Sequence, residues 1–241
     1  MADGTETEAL GRARTRVLAQ IADACLRSGR DPSEVTLVAV SKTVPAERLR
    51  DALAAGFDLF GENRVQEALG KVPEVPGARW HLVGPLQSNK ARRALEAFEL
   101  IQSVGSVELA RRLDRLAGEL GRAPVPVLLQ VNVDLDPSKA GFAPAGLAAA
   151  LEATTALDRL DVRGLMTIGR LAERPAAARA TFAGLRALSA SLRAAWPALG
   201  PELSMGMTDD FPIAVEEGAT IVRVGRALFG ERPREHGPGR G

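Results

Sequence analysis

The chain has 241 residues, 46% of them apolar and 25% charged, with a formal net charge of +1. That balance suits one globular domain of about the 250 residues a (β/α)8 barrel needs, and is short for two ordinary domains. The small charge excludes a global field that would draw nucleic acid or an anionic membrane, so any bound anion must be caught locally.

The first predicted element is a helix over 9–27, on which Cys25 reads as a small packing residue. With one cysteine, no basic-then-apolar leader and no apolar run near the ~20 residues of a membrane span, a reducing cytoplasm is expected. Strands are predicted at 35–41, 57–60, 80–83, 100–103, 125–133, 162–168, 203–205 and 220–224. Helices are predicted at 45–55, 65–69, 90–97, 107–120, 145–156, 176–194 and 210–217. Most strand runs are continuously apolar, the pattern of parallel strands covered on both faces.

Eight such units allow a closed barrel or an open doubly wound sheet. The open sheet announces itself with a glycine-rich turn after its first strand, where this chain has Ser41-Lys42-Thr43-Val44-Pro45. The reading is therefore a single-domain TIM (β/α)8 barrel over 1–230 with an extra N-terminal helix. The 231–241 tail, rich in Gly, Pro and Arg, is expected to be disordered.

In such a barrel the functional face is the C-terminal end of the strands. Lys42 stands there after the apolar first strand; partial desolvation would favour the neutral amine that attacks an aldehyde, whereas an ordinary strand-end lysine would reach water or pair with Glu62. It is one of only four lysines, with Lys71, Lys90 and Lys139. Lys90 and Lys139 lie on polar loops of the same face and are expected to stay charged and hold anions or nothing in particular.

Barrels often seat a phosphate in the loops after strands seven and eight. Ser204, Thr208, Gly225 and Arg226 supply hydroxyls, a close-approach glycine and charge there, although Thr208 and Gly225 serve equally well as a helix cap and a turn. Arg223 interrupts a buried strand. It either pairs with Glu62 or Asp58 across the barrel mouth or faces a ring nitrogen, where an arginine donor keeps a pyridine unprotonated and disfavours carbanion chemistry. His81 reads as a satisfied core histidine or a ligand contact, and Asn63 as a ligand contact or a cap. Two histidines and one cysteine leave no zinc cluster to expect. Together these residues point to one phosphorylated aldehyde.

The same residues carry a resemblance. The stretches Leu37-Val38-Ala39-Val40-Ser41-Lys42-Thr43, Phe60-Gly61-Glu62-Asn63-Arg64-Val65-Gln66-Glu67 and Trp80-His81-Leu82-Val83-Gly84-Pro85-Leu86-Gln87-Ser88-Asn89-Lys90 resemble the pyridoxal phosphate homeostasis proteins. So do Gln130-Val131-Asn132, Lys139-Ala140-Gly141-Phe142, Arg163-Gly164-Leu165-Met166-Thr167-Ile168, Leu203-Ser204-Met205-Gly206-Met207 and Val222-Arg223-Val224-Gly225. These proteins are the YggS/PROSC-type relatives of the alanine racemase N-terminal barrel, of PLP fold type III. The resemblance implies pyridoxal 5'-phosphate held as a Schiff base on Lys42, with phosphate on Ser204, Gly225 and the following Arg226. It further implies that Arg223 faces the pyridine nitrogen and that Asn63 and Met166 line the ring. Thr208 keeps a hydroxyl where serine is usual; Arg226 stands where threonine is usual, so its side chain departs from the pattern.

The resemblance also implies a non-catalytic carrier that hands the cofactor to PLP-dependent apo-enzymes, with no catalytic residues and no metal. The related racemases use a tyrosine from a second domain, and this chain has no tyrosine. A weak fold type III racemase or decarboxylase using Lys42 as its base, and a cofactor-free Schiff-base aldolase, are the competing readings.

Overall fold

The structure, a computed structural model, describes residues 3–122, 124–169 and 175–230; the 231–241 tail lies outside these. Its strands are β1 (Thr36–Val40), β2 (Leu59–Glu62), β3 (Arg79–Leu82), β4 (Leu100–Val104), β5 (Val125–Gln130), β6 (Leu160–Met166), β7 (Glu202–Ser204) and β8 (Ile221–Val224). Each pairs in parallel with its neighbour in sequence, and β8 returns to β1 with Val38 opposite Arg223, closing the barrel. The α-helices are α1 (Asp3–Ser28), α2 (Ala46–Ala54), α3 (Val65–Lys71), α4 (Ala91–Ala97), α5 (Val107–Glu119), α6 (Leu147–Thr155), α7 (Arg179–Ala195), α8 (Phe211–Glu216) and α9 (Arg226–Phe229). The (β/α)8 barrel expected from the apolar runs is the observed fold.

Where boundaries differ, the backbone hydrogen bonds give the reason. The run expected at 57–60 forms β2 two residues later, because Gly56 takes a positive φ and the Phe57 N–H closes the end of α2 on Ala52 O at 3.0 Å. The strand expected to reach 133 stops at Gln130. There the Asn132 N–H turns to Phe142 O at 2.9 Å, and the Phe142 N–H to Gln130 O at 2.8 Å. α1 starts earlier than expected, and α9 follows β8 without having been expected.

α1 buries Leu10, Val17, Ile21, Ala24 and Cys25, at helical spacing, against α2, α8 and α9. Burying each large apolar side chain contributes about 1.5–3 kcal/mol. The Arg30 guanidinium then donates to Val215 O at 2.8 Å and Ala219 O at 2.9 Å, tying the end of α1 to the end of α8. Cys25 is a packing residue, as expected.

The apolar core has two parts. One fills the space between sheet and helices; the smaller, inside the barrel, comprises Val38, Leu59, Val83, Leu100, Leu128, Met166 and Ile221. Side chains two apart on a strand share a face. His81, Gln102 and Arg223, two residues from Val83, Leu100 and Ile221, therefore also point inward, and each is buried. A polar string runs through an otherwise apolar barrel.

Gly84 sets how closely the ends of β2 and β3 approach at the functional face. A Cβ there would lie 2.4 Å from Asn63 O and 2.6 Å from Asn63 Cα, backbone that cannot step aside cheaply. Gly84→Ala is expected to cost about 1–3 kcal/mol, read as a lower denaturant midpoint with an unchanged m value; an unchanged midpoint would show that the two strand ends separate freely.

Candidate functional site

Lys42 follows β1 and the fully buried Ser41, and is half-buried at the C-terminal mouth of the barrel. The turn beneath it is held by a residue to which the sequence reading gave no role. Lys71, only 8% exposed, donates from Nζ to Ser41 O at 2.8 Å, Glu62 Oε1 at 2.7 Å and Glu67 Oε1 at 2.6 Å. Glu62 Oε1 also accepts the Ser41 hydroxyl at 2.7 Å, and Glu67 Oε1 accepts the Thr43 N–H at 2.5 Å. Glu62, the carboxylate expected for Lys42 or Arg223, is thus engaged by Lys71.

Burial pushes the Glu62 carboxyl up, against the pull of Lys71 and Ser41. Burial also raises Glu67, but the Lys71 and Thr43 hydrogen bonds more than offset this and leave it below the usual carboxylate range. Thr43 sits at φ +66°, a left-handed conformation that costs a β-branched residue about 1–2 kcal/mol and persists only where its neighbours impose it.

Across the closing β1–β8 seam stands the second half of the site. Gly225 lies so close to β1 that a Cβ would come within 3.3 Å of Val40 O, which places its turn two residues from Lys42. The Gly225 N–H donates to the Thr208 hydroxyl at 3.3 Å. The Arg226 guanidinium is exposed and paired with Asp209. Gly206, at φ +90°, lets the chain turn tightly after β7: a Cβ there would lie 2.5 Å from that of Ala214. Asp210 accepts the Met207 N–H at 2.6 Å.

Arg223 is 4% exposed and pairs with neither of the carboxylates expected for it. Its guanidinium donates to Ser204 Oγ at 2.7 Å and Thr167 O at 2.8 Å. The expectation failed because a buried strand position reveals that a charge needs partners, not which ones. Glu62 goes to Lys71, and Asp58 lies at the start of β2, near Arg79. Burial lowers the Arg223 pKa to about 10, opposed by Asp210, so it stays charged at neutral pH.

Ser204 accordingly stands behind Arg223. Its hydroxyl accepts from Arg223 and donates to Gln102 Oε1 at 2.6 Å. Gln102 Nε2 in turn lies 2.9 Å from His81 Nδ1. With the Gln102 amide oriented this way, its Oε1 accepts the Ser204 proton and its Nε2 donates to His81 Nδ1. His81 is fixed as the neutral tautomer with its proton on Nε2, and burial holds its pKa down to about 3. Of its two readings, the core one describes its contacts.

Met166 is fully buried in the inner cluster at the end of β6, and Asn63 is half-buried after β2. Lys139 is not the open residue expected. Its ammonium donates to Ile168 O at 3.1 Å and Gly169 O at 3.0 Å, joining the loops after β5 and β6. A cavity of about 450 Å³ lies on the outside against Trp80 and Phe98, and one of about 310 Å³ opens at the N-terminal end of the barrel beside His81 and Glu202.

The alanine racemase N-terminal domain family matches residues 19–233. A pyridoxal phosphate homeostasis protein of Pseudomonas aeruginosa is 47% identical over 220 residues, covering 90% of this chain and 93% of its own. The protein of the same name in Escherichia coli is 39% identical over 225 residues, with 89% and 95% covered. The chain belongs to the pyridoxal phosphate homeostasis family. The solved structure of PipY of Synechococcus elongatus with PLP bound is 51% identical, with a TM-score of 0.76 over 87% of this chain and 100% of that one. An alanine racemase of Clostridium difficile, at 14% identity and a TM-score of 0.72, shares the fold over 92% of this chain and 57% of its own.

The His81 tautomer gives a pH prediction. Its native pKa of about 3 lies below the ordinary 6.5, so on acidification the unfolded chain takes up this proton first. Stability is full above the unfolded value and falls as pH drops from about 6.5 towards 3, by up to about 1.4 kcal/mol per unit. The His81 ring resonances should therefore stay flat down to about pH 5, and His81→Asn should show a shallower acid slope in denaturant melts. A ring titrating near pH 6 would contradict the fixed tautomer.

Proposed function

We propose that this chain is a non-catalytic carrier in intracellular vitamin B6 homeostasis, holding pyridoxal 5'-phosphate at the C-terminal mouth of the barrel as a Schiff base on Lys42. The observation that carries the reading is the β1–β8 seam, where Lys42, the Gly225 turn and the buried Arg223 meet on adjacent strands. The residues fit the group. Arg223 is a guanidinium buried in the barrel interior, Gly225 has the close-approach backbone and Thr208 the hydroxyl that an anion cradle needs. The structure of PipY with PLP bound, 51% identical, supports pyridoxal 5'-phosphate as the ligand.

The bound group would supply a reactive aldehyde and a ring that accepts electrons. The rest belongs to the chain. Lys42 provides the amine. Ser204, Thr208 and the backbone at Gly225 and Arg226 take the phosphate. Asn63 and Met166 line the ring. Arg223, able only to donate, requires an acceptor at the pyridine nitrogen and keeps that atom unprotonated.

That arrangement weakens the ring as an electron sink. The 241 residues also contain no tyrosine to act as the opposing acid or base. Both points favour a carrier over a racemase or decarboxylase, with PLP-dependent apo-enzymes as acceptors. The cytoplasmic reading fits the single, buried, unbridged Cys25; among the described residues no helix is long and apolar enough to cross a membrane.

Reduction with borohydride after loading with pyridoxal 5'-phosphate, followed by peptide mass mapping, should place the adduct on Lys42, and Lys42→Ala should lose the visible absorption band. An adduct on Lys90, or none at all, would end this reading. Solvent exchange of an amino-acid α-proton that depends on Lys42 would replace the carrier with the weak enzyme.

A further inference from the structure

The Lys71 ammonium spends all three of its protons within the cluster under the Lys42 turn: on Ser41 O, Glu62 Oε1 and Glu67 Oε1. With its donors saturated and its side chain 10% exposed, it is poorly placed to react as an amine itself. Its bonds flank Lys42 on both sides in sequence. The residue before is held by its carbonyl, through Lys71, and by its hydroxyl, through Glu62. The residue after is held by its amide, through Glu67. Between them the backbone passes into the left-handed conformation of Thr43, which a threonine does not adopt unaided.

We propose that Lys71 is a positioning residue for Lys42: with Glu62 and Glu67 it locks the Ser41–Lys42–Thr43 turn, so that the Lys42 amine is presented in one geometry to the carbonyl it condenses with. The proposal rests on the assignment of Lys42 as the carrier lysine. In that condensation Lys42 Nζ forms a C=N bond to the aldehyde carbon, and the carbonyl oxygen departs as water with the two amine protons. A turn that is already ordered pays no ordering cost when the imine forms. A loosened turn admits water and alternative rotamers, and the imine hydrolyses faster.

The test uses the full chain carrying Lys71→Met, Lys71→Met with Thr43→Gly, or Lys42→Ala. Amide hydrogen exchange of the protein without cofactor reads the turn directly. Stopped-flow absorbance with pyridoxal 5'-phosphate reads imine formation and release. In Lys71→Met the Thr43 amide should exchange about tenfold faster, and imine release should accelerate by about tenfold, as expected for the loss of a charge-assisted hydrogen bond. Exchange at Leu128 in β5 should not change. Thr43→Gly, which removes the cost of the positive φ, should restore release towards the wild-type rate in the Lys71→Met background; a lysine that merely supported the fold would show no such rescue.

Should Lys71→Met fail to fold, Glu67→Ala, at a partly exposed position, removes the same restraint on Thr43 and carries the same expectation. Faster exchange at Thr43 with unchanged imine kinetics would overturn the proposal while leaving Lys42 as the carrier. An imine that survives Lys42→Ala would overturn the carrier assignment itself, whatever Thr43 does.

Discussion

A guanidinium buried inside a closed barrel imposes the direction of every hydrogen bond around it. Arg223 has five donors and no acceptor, so its neighbours must accept. Thr167 does so with a carbonyl and Ser204 with its oxygen. The orientation set at Ser204 then passes to Gln102 and ends at His81, which answers with a bare nitrogen. Burial, with Arg79 nearby, keeps the histidine at the far end uncharged. The same rule applies on the open side of Arg223: a ring nitrogen presented there must also accept.

The two lysines under the β1 turn divide the chemistry of one ammonium type between them. Lys71 lies where carboxylates and a carbonyl take all its protons, and burial of the cluster strengthens each bond. Lys42, half-buried at the mouth, lies next to the Gly225 turn. Their surroundings separate them. A buried pair such as Glu62 and Lys71 adds little net stability relative to an apolar replacement, but removing one partner leaves an uncompensated charge. Its presence beneath the turn is better accounted for by the geometry it imposes on Thr43 than by the energy it contributes.

The barrel was legible because parallel strands covered on both faces must be apolar throughout, and eight such runs without a glycine-rich first turn leave few alternatives. Lys42 was legible for a related reason, as a rare lysine directly after an apolar strand. Partners were not. The position of Arg223 revealed burial, while its contacts to Ser204 and Thr167 depend on the stagger of β6, β7 and β8 around the barrel, which no local pattern encodes. Ser204 was legible as a polar group at the end of strand seven, but its contacts to Arg223 and Gln102 were not. Lys71 had two signals that went unused, its scarcity and its position four residues after Glu67 on α3, the spacing of a helical ion pair.

These contacts bear on why such a site would hold an aldehyde without transforming it. Moving a proton off a bound amino acid requires a ring able to accept the resulting electron pair and an acid or base on each face. On the proposed reading, Arg223 would withhold the first by donating to the ring nitrogen. For the second, acidic groups close to the turn hold other partners: Glu62 Oε1 takes Ser41 and Lys71 while its Oε2 is unpaired among the described residues, Glu67 takes Lys71 and the Thr43 amide, and Asp210 takes the Met207 amide. A carboxylate that fixes a backbone cannot leave it to fetch a proton without loosening the lysine it helps to position. On the proposed reading, the restraints that position Lys42 to keep an aldehyde therefore also occupy carboxylates that would act on it.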